Sequence, residues 1–395
     1  MGLFSKVVSE LETPRGKRPF GSGWLSASLA LLAALSGLLL VVLRWYPETF
    51  SYPQIAFIHE GGVVTLAVRF TLLAGYTLSL ISLILSSWRK VAWLALGLSV
   101  IASLMSTTQP DVSELPQSVY FGLDYFMINV LVVGFLFIPL ERFFPARAEQ
   151  IVFRPEWQED MFYYLISSML VQMLTFVTMA PANFVNSTFG LDDIRMHITN
   201  LPFFVQVFMI MVATDFVQYW VHRAFHSIPF LWRFHAIHHS TKRLDWLAGA
   251  RMHFIEIAIL RSLTALPMFT LGFKPEAIQA YLLVVYFYSS FIHSNIGWKL
   301  DFVERFLVTP RFHHWHHGSD REAIDINYAS HFPLFDWLFG THHLPDEKWP
   351  DSYGVVGDSV PKGYWRQFLF PFSPKRFRKP KTPKPGNTGE GSSNI

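Results

Sequence analysis

The chemistry of this chain is concentrated in its histidines. His222 and His226 stand four residues apart, His235, His238 and His239 follow at i, i+3 and i+4, and His313, His316 and His317 repeat that second spacing. Residues three and four apart share a helix face, so each group is expected to aim its imidazoles to one side. Neutral imidazole is a ligand for iron, zinc, copper or nickel, and these donors are enough for two ions rather than one. A lone His-x-x-x-His pair at a membrane boundary is more often polar decoration than a ligand. Three groups in one register argue otherwise, because solvated faces favour Lys and Glu over stacked imidazoles that repel one another when charged. The pattern is therefore read as a metal site.

The flanking residues divide. His293 closes an apolar hairpin at the boundary where the clusters lie and is a further candidate ligand, whereas His253 is an open one whose alternative is a satisfied polar residue at a helix start. His314 points roughly 100° away from its neighbours and is expected to be exposed or to touch a ligand from outside the set. His331, His342 and His343 read as structural, and His59 and His197 fall in loops on the opposite side. Asp215 lies seven residues before His222, inside an apolar run where a carboxylate is costly unless paired. It can accept a hydrogen bond from an imidazole N–H and so fix a ring. Glu256, Asp325 and Asp336 are candidates for the same task, with a helix cap or a surface ion pair as the alternative for each.

The elements that must carry these residues are membrane helices. The 395 residues are 51% hydrophobic and 15% charged, with a mean hydropathy of +0.29, more apolar surface than one soluble core hides. Apolar runs at 24–43, 63–87, 91–105, 119–140, 161–180 and 202–220 give six candidate spans, the third short enough to be re-entrant, and 257–272 with 276–292 form a hairpin. Segments 1–23, 88–90 and 141–160 hold four, two and three Lys or Arg, while 45–62, 106–118 and 181–201 hold only Arg195. Basic residues mark the cytoplasmic side, so the end of the sixth span and the clusters after it are expected to face the cytoplasm. The net charge of +3 is small and no basic stripe with interleaved aromatics occurs, which argues against nucleic acid. With no cysteine, disulfides, thiolate zinc, iron–sulfur clusters and thiolate-ligated haem are excluded. The fold class is thus an all-α integral membrane protein, a multi-span helical bundle with a cytoplasmic histidine-rich metal-binding cap. Two other classes stay open on the residues alone: a histidine-ligated membrane haem protein for electron transfer, and a metal or ion transporter. Zinc hydrolysis lacks its His-Glu-x-x-His motif.

At these residues the chain resembles the fatty acid hydroxylase and sterol desaturase superfamily of membrane-bound histidine-motif di-iron oxygenases. The stretches that carry the likeness are Asp215 to Ser227, PFLWRFHAIHHS at 229–240, His293-Ser294-Asn295, TPRFHHWHHG at 309–318, Asp325 to Tyr328 and Phe335 to Thr341, with PLERFFP at 139–145 as an entry segment. The resemblance implies a four-helix membrane core under a cytoplasmic cap, two iron ions, and O2-dependent hydroxylation or desaturation of a lipid: a sterol, ether lipid or fatty acyl chain. It carries metal binding onto His222, His226, His235, His238, His239, His313, His316 and His317, and further onto His293 and His253. Some relatives have another ligand where this chain has Gly297. Electrons would come from NAD(P)H through a separate cytochrome b5-like or ferredoxin partner. The implied organisation is 1–138 as N-terminal spans of unknown role, 139–345 as the catalytic domain, 346–373 as a C-terminal extension and 374–395 as a disordered basic tail. The membrane would be the inner or plasma membrane in a bacterium and the endoplasmic reticulum in a eukaryote.

Overall fold

The computed structural model describes residues 21–46, 62–85, 89–106, 123–169, 171–357 and 360–373, with scattered positions before residue 21. The expected tail at 374–395 and most of the loops at 47–61 and 107–122, His59 included, lie outside the described residues. No strand occurs among the described residues; only two isolated bridges do, Pro145 with Ile296 and Gly318 with Tyr353.

The first three helices, α1 (Trp24–Trp45), α2 (Val63–Leu85) and α3 (Arg89–Ser106), pack on one another through small side chains. Ala27, Ala30, Ala34, Ala95, Ser79 and Ser99 are buried between them, while Leu66, Phe70, Leu73 and Leu104 point outward and are exposed. In lipid, helices gain from close backbone approach rather than from hiding leucine, which suits this inverted pattern. Gly75 shows how close the approach is, since a Cβ there would lie 2.5 Å from Ser99 Oγ. A T-shaped Trp24–Phe143 contact ties this bundle to α4 (Leu123–Phe143).

Helices α5 (Trp157–Met169), α6 (Val171–Thr188) and α7 (Asp192–Thr199) lead into the long α8 (Phe203–Ser227). Four of these helices are long and apolar enough to cross a membrane, α1, α2, α3 and α8. The fourth expected span corresponds to α4, and the fifth falls on α5 and α6, between which residue 170 lies outside the described residues. At the start of α5, Asp160 sits in a buried ion-pair group with Arg154 and Arg251. The third expected span is a regular 18-residue helix. After α8 come α9 (Pro229–His238), the hairpin α10 (Phe254–Thr270) and α11 (Pro275–His293), then α12 (Pro310–His316), α13 (Leu334–Leu338) and α14 (Tyr364–Leu369). The hairpin turns at Gly272, whose φ of +84° and close approach to Arg195 admit no side chain.

Candidate metal centre

His222 and His226 occupy the last turns of α8, one turn apart. The chain then bends at the extended Ile228 and restarts α9 with Pro229 at its first position, where a missing N–H costs nothing. His235 and His238 lie on α9 and His239 caps it. The seven-residue α12 is started by Thr309, whose hydroxyl accepts from Phe312 N–H, and by Pro310; it carries His313 and His316 and ends at His317. His293 is the last residue of α11.

These side chains converge into two groups. His222, His226, His235, His239 and His316 form one, His238, His293, His313 and His317 the other, and within each the donor atoms lie within 4.8 Å of one another. All nine are buried. Sequence spacing suggested that i, i+3 and i+4 would act together, but the structure separates them. On both α9 and α12 the i and i+4 imidazoles join one group and the i+3 imidazole joins the other. The reason is helical: at roughly 100° per residue, i and i+4 differ by about 40° while i+3 and i+4 differ by about 100°. The pairs are exchanged between the helices, α9 giving its pair to the five-histidine group and α12 to the four-histidine group.

The rings are oriented from behind. His222 Nδ1–H donates to Tyr328 O at 2.8 Å, His316 Nδ1–H to Ile326 O at 2.8 Å, His226 Nδ1 meets Asp325 Oδ1 at 3.3 Å, and His235 Nδ1 meets Glu256 Oε1 at 2.5 Å. In the other group, His238 Nδ1–H donates to Arg251 O at 3.1 Å and His293 Nδ1–H to Ser289 O at 2.7 Å. With Nδ1 protonated, Nε2 carries only a lone pair. Yet His222 and His235 bring Nε2 atoms to 3.0 Å, and His238 and His293 to 3.3 Å. His313 Nε2 completes the second convergence, 3.0 Å from His293 and 3.2 Å from His317. His316 Nε2 is buried without a hydrogen-bond partner. Lone pairs facing each other at such distances repel unless a cation stands among them, so the donor set fits metal ions. Burial first, and then the neighbouring imidazoles, hold His238, His239, His313, His316 and His317 well below the usual histidine value, which keeps these donors neutral.

The remaining candidates separate cleanly. The structure does not bring His253 to either group. It caps α10, its Nδ1 accepting from Ile255 N–H at 3.1 Å and its Nε2–H donating to Phe368 O at 3.1 Å, and its ring stacks on Phe368. Glu256 and Asp325 stand behind His235 and His226, as their candidacy required. Asp215 does not: the imidazole it meets is His331, at 3.4 Å, and it accepts from the backbone N–H groups of residues 330–332. Asp336 likewise accepts from Tyr328 and Ala329 N–H. His314, expected to be exposed or to touch a ligand from outside, is buried. It accepts from Tyr353 O–H through Nδ1 and donates to the His293 and Ser294 carbonyls through Nε2. Burial drives it down to about 3. Gly297 is where the backbone of Phe144 to Ala146 passes: its N–H reaches Phe144 O at 2.7 Å, and a Cβ would lie 2.8 Å from Ala146 Cα. No side chain fits there.

The acceptor loop 325–328 was legible in the sequence only at Asp325, and the carbonyls of Ile326 and Tyr328 were missed. It serves three of the five histidines in one group, two of them through carbonyls of residues whose side chains give no hint of it. Its other signal is conformational, since Asp325 and Asn327 adopt φ of 62° and 56°, a region that Asp and Asn tolerate better than most residues. Asn327 holds the loop by donating to the Phe312 and His343 carbonyls. A cleft beside it, lined by Trp232, His226, His239, His316, Asp325 and Val355, gives access to the five-histidine group.

Residues 207–341 match the family model described as fatty acid hydroxylase. The ornithine lipid hydroxylase of Rhizobium tropici is 33% identical over 174 residues, which are 44% of this chain and 52% of that protein. The alkylglycerol monooxygenase of Homo sapiens is 31% identical over 137 residues, 35% of this chain and 30% of that protein. A very-long-chain aldehyde decarbonylase of Oryza sativa subsp. indica is 25% identical over 138 residues, 32% and 22% of the two chains. The chain thus spans about half the length of the first relative and less than a third of the others. No solved structure matches it.

Proposed function

We propose, from the premise that residues 207–341 form a fatty acid hydroxylase domain in a membrane protein, that the chain is an oxidoreductase that hydroxylates a membrane lipid with O2. The observation that carries this reading is the pair of imidazole groups whose lone pairs converge without donors between them. The five-histidine group and the four-histidine group would each hold one iron ion. Iron so bound supplies the redox chemistry with O2 that breaking an unactivated C–H bond needs. The chain's own part is to keep the imidazoles neutral by burial, to fix their rings through Glu256, Asp325 and the carbonyls of 251, 289, 326 and 328, and to exclude bulk water.

Hydroxylation is favoured over desaturation because relatives bear the names hydroxylase and monooxygenase. Their named substrates are lipids with a polar head, which suits a site at the end of membrane helices: the chain of the lipid lies among the helices and its head stays at the interface. The Lys and Arg distribution supports a cytoplasmic site, and an external cytochrome b5-like or ferredoxin donor fed by NAD(P)H would supply the two electrons. A haem reading fits poorly, because haem takes two axial histidines and here four or five nitrogens converge on one point.

Metal analysis of the detergent-extracted chain, joined to lipid mass spectrometry of cells with and without it, tests the proposal. About two iron ions per chain and a lipid shifted by one oxygen are expected. Full metal content and turnover in His238→Ala or His317→Ala would sink the site assignment.

A further inference from the structure

Asp215 has no place among the histidine donors, although it is fully buried in the middle of a membrane helix. Lying seven residues before His222, it sits roughly 10 Å below that ring along α8 at 1.5 Å per residue. There it accepts from Ser330 N–H at 2.9 Å, His331 N–H at 3.0 Å and Phe332 N–H at 2.8 Å. The carbonyl of His331 in turn accepts from Val308 N–H at 2.9 Å, and Val308 O accepts from the Tyr288 hydroxyl. Tyr288 lies five residues before His293 on α11, so the helix on the other side reports a similar depth, and its ring stacks on His331 at 5.4 Å. Two non-helical stretches therefore meet well below the level of the histidines.

We infer that residues 328–339 re-enter the bilayer beside α8, and that the side chains they leave exposed there face lipid. The path of this stretch follows α8: Phe332 packs on Phe208, Phe335 on Phe216, and Phe339 on Trp220. Those three α8 residues are themselves partly exposed, on the outward face of a span, so the re-entrant stretch extends a lipid-facing surface rather than starting a new one. Along it, Leu334, Trp337 and Leu338 are 52%, 51% and 64% exposed, and no charged side chain is exposed between residues 328 and 339. Non-helical backbone at membrane depth must find partners inside the protein, because hydrocarbon offers none. Asp215 meets that need for residues 330–332, and Asp336 for Tyr328 and Ala329 N–H and the Thr341 hydroxyl. The partner of this surface is the acyl region of the membrane, and the inference rests on α8 crossing it, independently of the reaction proposed above.

The chain contains no cysteine, so any thiol introduced is the sole one. The full-length chain with Leu338→Cys, and separately Leu334→Cys, would carry a nitroxide label in phosphatidylcholine vesicles. Arg321→Cys, exposed beside the histidine cap, and Leu73→Cys, exposed on α2, are the references. Relaxation by O2, which concentrates in lipid, is compared with relaxation by a water-soluble nickel chelate. Labels at 338 and 334 are expected to show an oxygen-to-nickel ratio severalfold above that at 321 and near that at 73. A ratio equal to that at 321 at both sites overturns the inference. So does protection seen in native membranes and lost in vesicles, which would assign the surface to a protein partner.

Discussion

The five-histidine and four-histidine groups are drawn from the same motifs, yet they are held differently. Behind the first stand two carboxylates, Glu256 and Asp325, and a loop of unusual backbone conformation; behind the second, His238 and His293 meet main-chain carbonyls, while Nδ1 of His313 and of His317 is buried without a hydrogen-bond partner. A cleft reaches the first. An anionic acceptor makes an imidazole a stronger donor and offsets the charge of a bound cation, whereas a carbonyl mainly fixes its angle. Where each group holds an ion, ionised Glu256 and Asp325 would offset the charge at the first, and the second, with one donor fewer, would leave its ion more electrophilic.

The largest effect should come from removing donors. His235→Ala and His293→Ala are each expected to lower turnover by more than the roughly 10–100-fold that loss of an outer partner costs. Each should also halve the bound metal, from different groups. Loss of all metal from either variant would show that the groups are not independent. Next in size, Glu256→Gln should weaken metal at the five-histidine group by roughly 10–100-fold and leave the other group loaded, as read by metal titration. Equal weakening at both groups would erase the distinction drawn from their acceptors. Chelation should then proceed in two phases, the faster one from the group that the cleft reaches. A bulky Val355→Trp should slow only that phase, and a single phase in the unaltered chain would contradict the difference in access.

The smallest expected effect is on the stability of metal-free protein. In the folded chain His238, His239, His313, His316 and His317 are held well below their usual 6.5, so on acidification the unfolded chain takes up these protons first. Their contribution is whole above about pH 6.5 and is lost progressively as pH falls below it towards the folded values. Thermal unfolding in detergent, compared with a His238→Gln, His317→Gln variant, should show the stability owed to these histidines falling below pH 6.5, with bound metal delaying the fall.

Much of this was legible in the sequence, because hydropathy and His spacing are local signals. The hairpin, the end of the sixth run and the eight clustered histidines follow from them, and the place of His293 followed from where the hairpin must return. What was not legible depends on partners distant in sequence. The split of i+3 from i and i+4 requires knowing that two sites lie on either side of each short helix. The acceptors at 251, 289, 326 and 328 are main-chain oxygens and leave no mark in side-chain type. His253 carries the same residue type as the ligands, but the strap at Phe368 claims it. Asp215 was recognisable as a costly residue; that its partners are the N–H groups of residues 330–332 was not.

The exchange of donors between α9 and α12 has a consequence for how such a chain can change over time. A single substitution can damage one group, but one residue inserted among the histidines of either helix would turn every later imidazole by about 100° and disturb both groups together. Neither centre can drift in register while the other stands still. The two must be inherited, lengthened or abandoned as a single unit, and variation is left to the loops and to the lipid-facing surface around them.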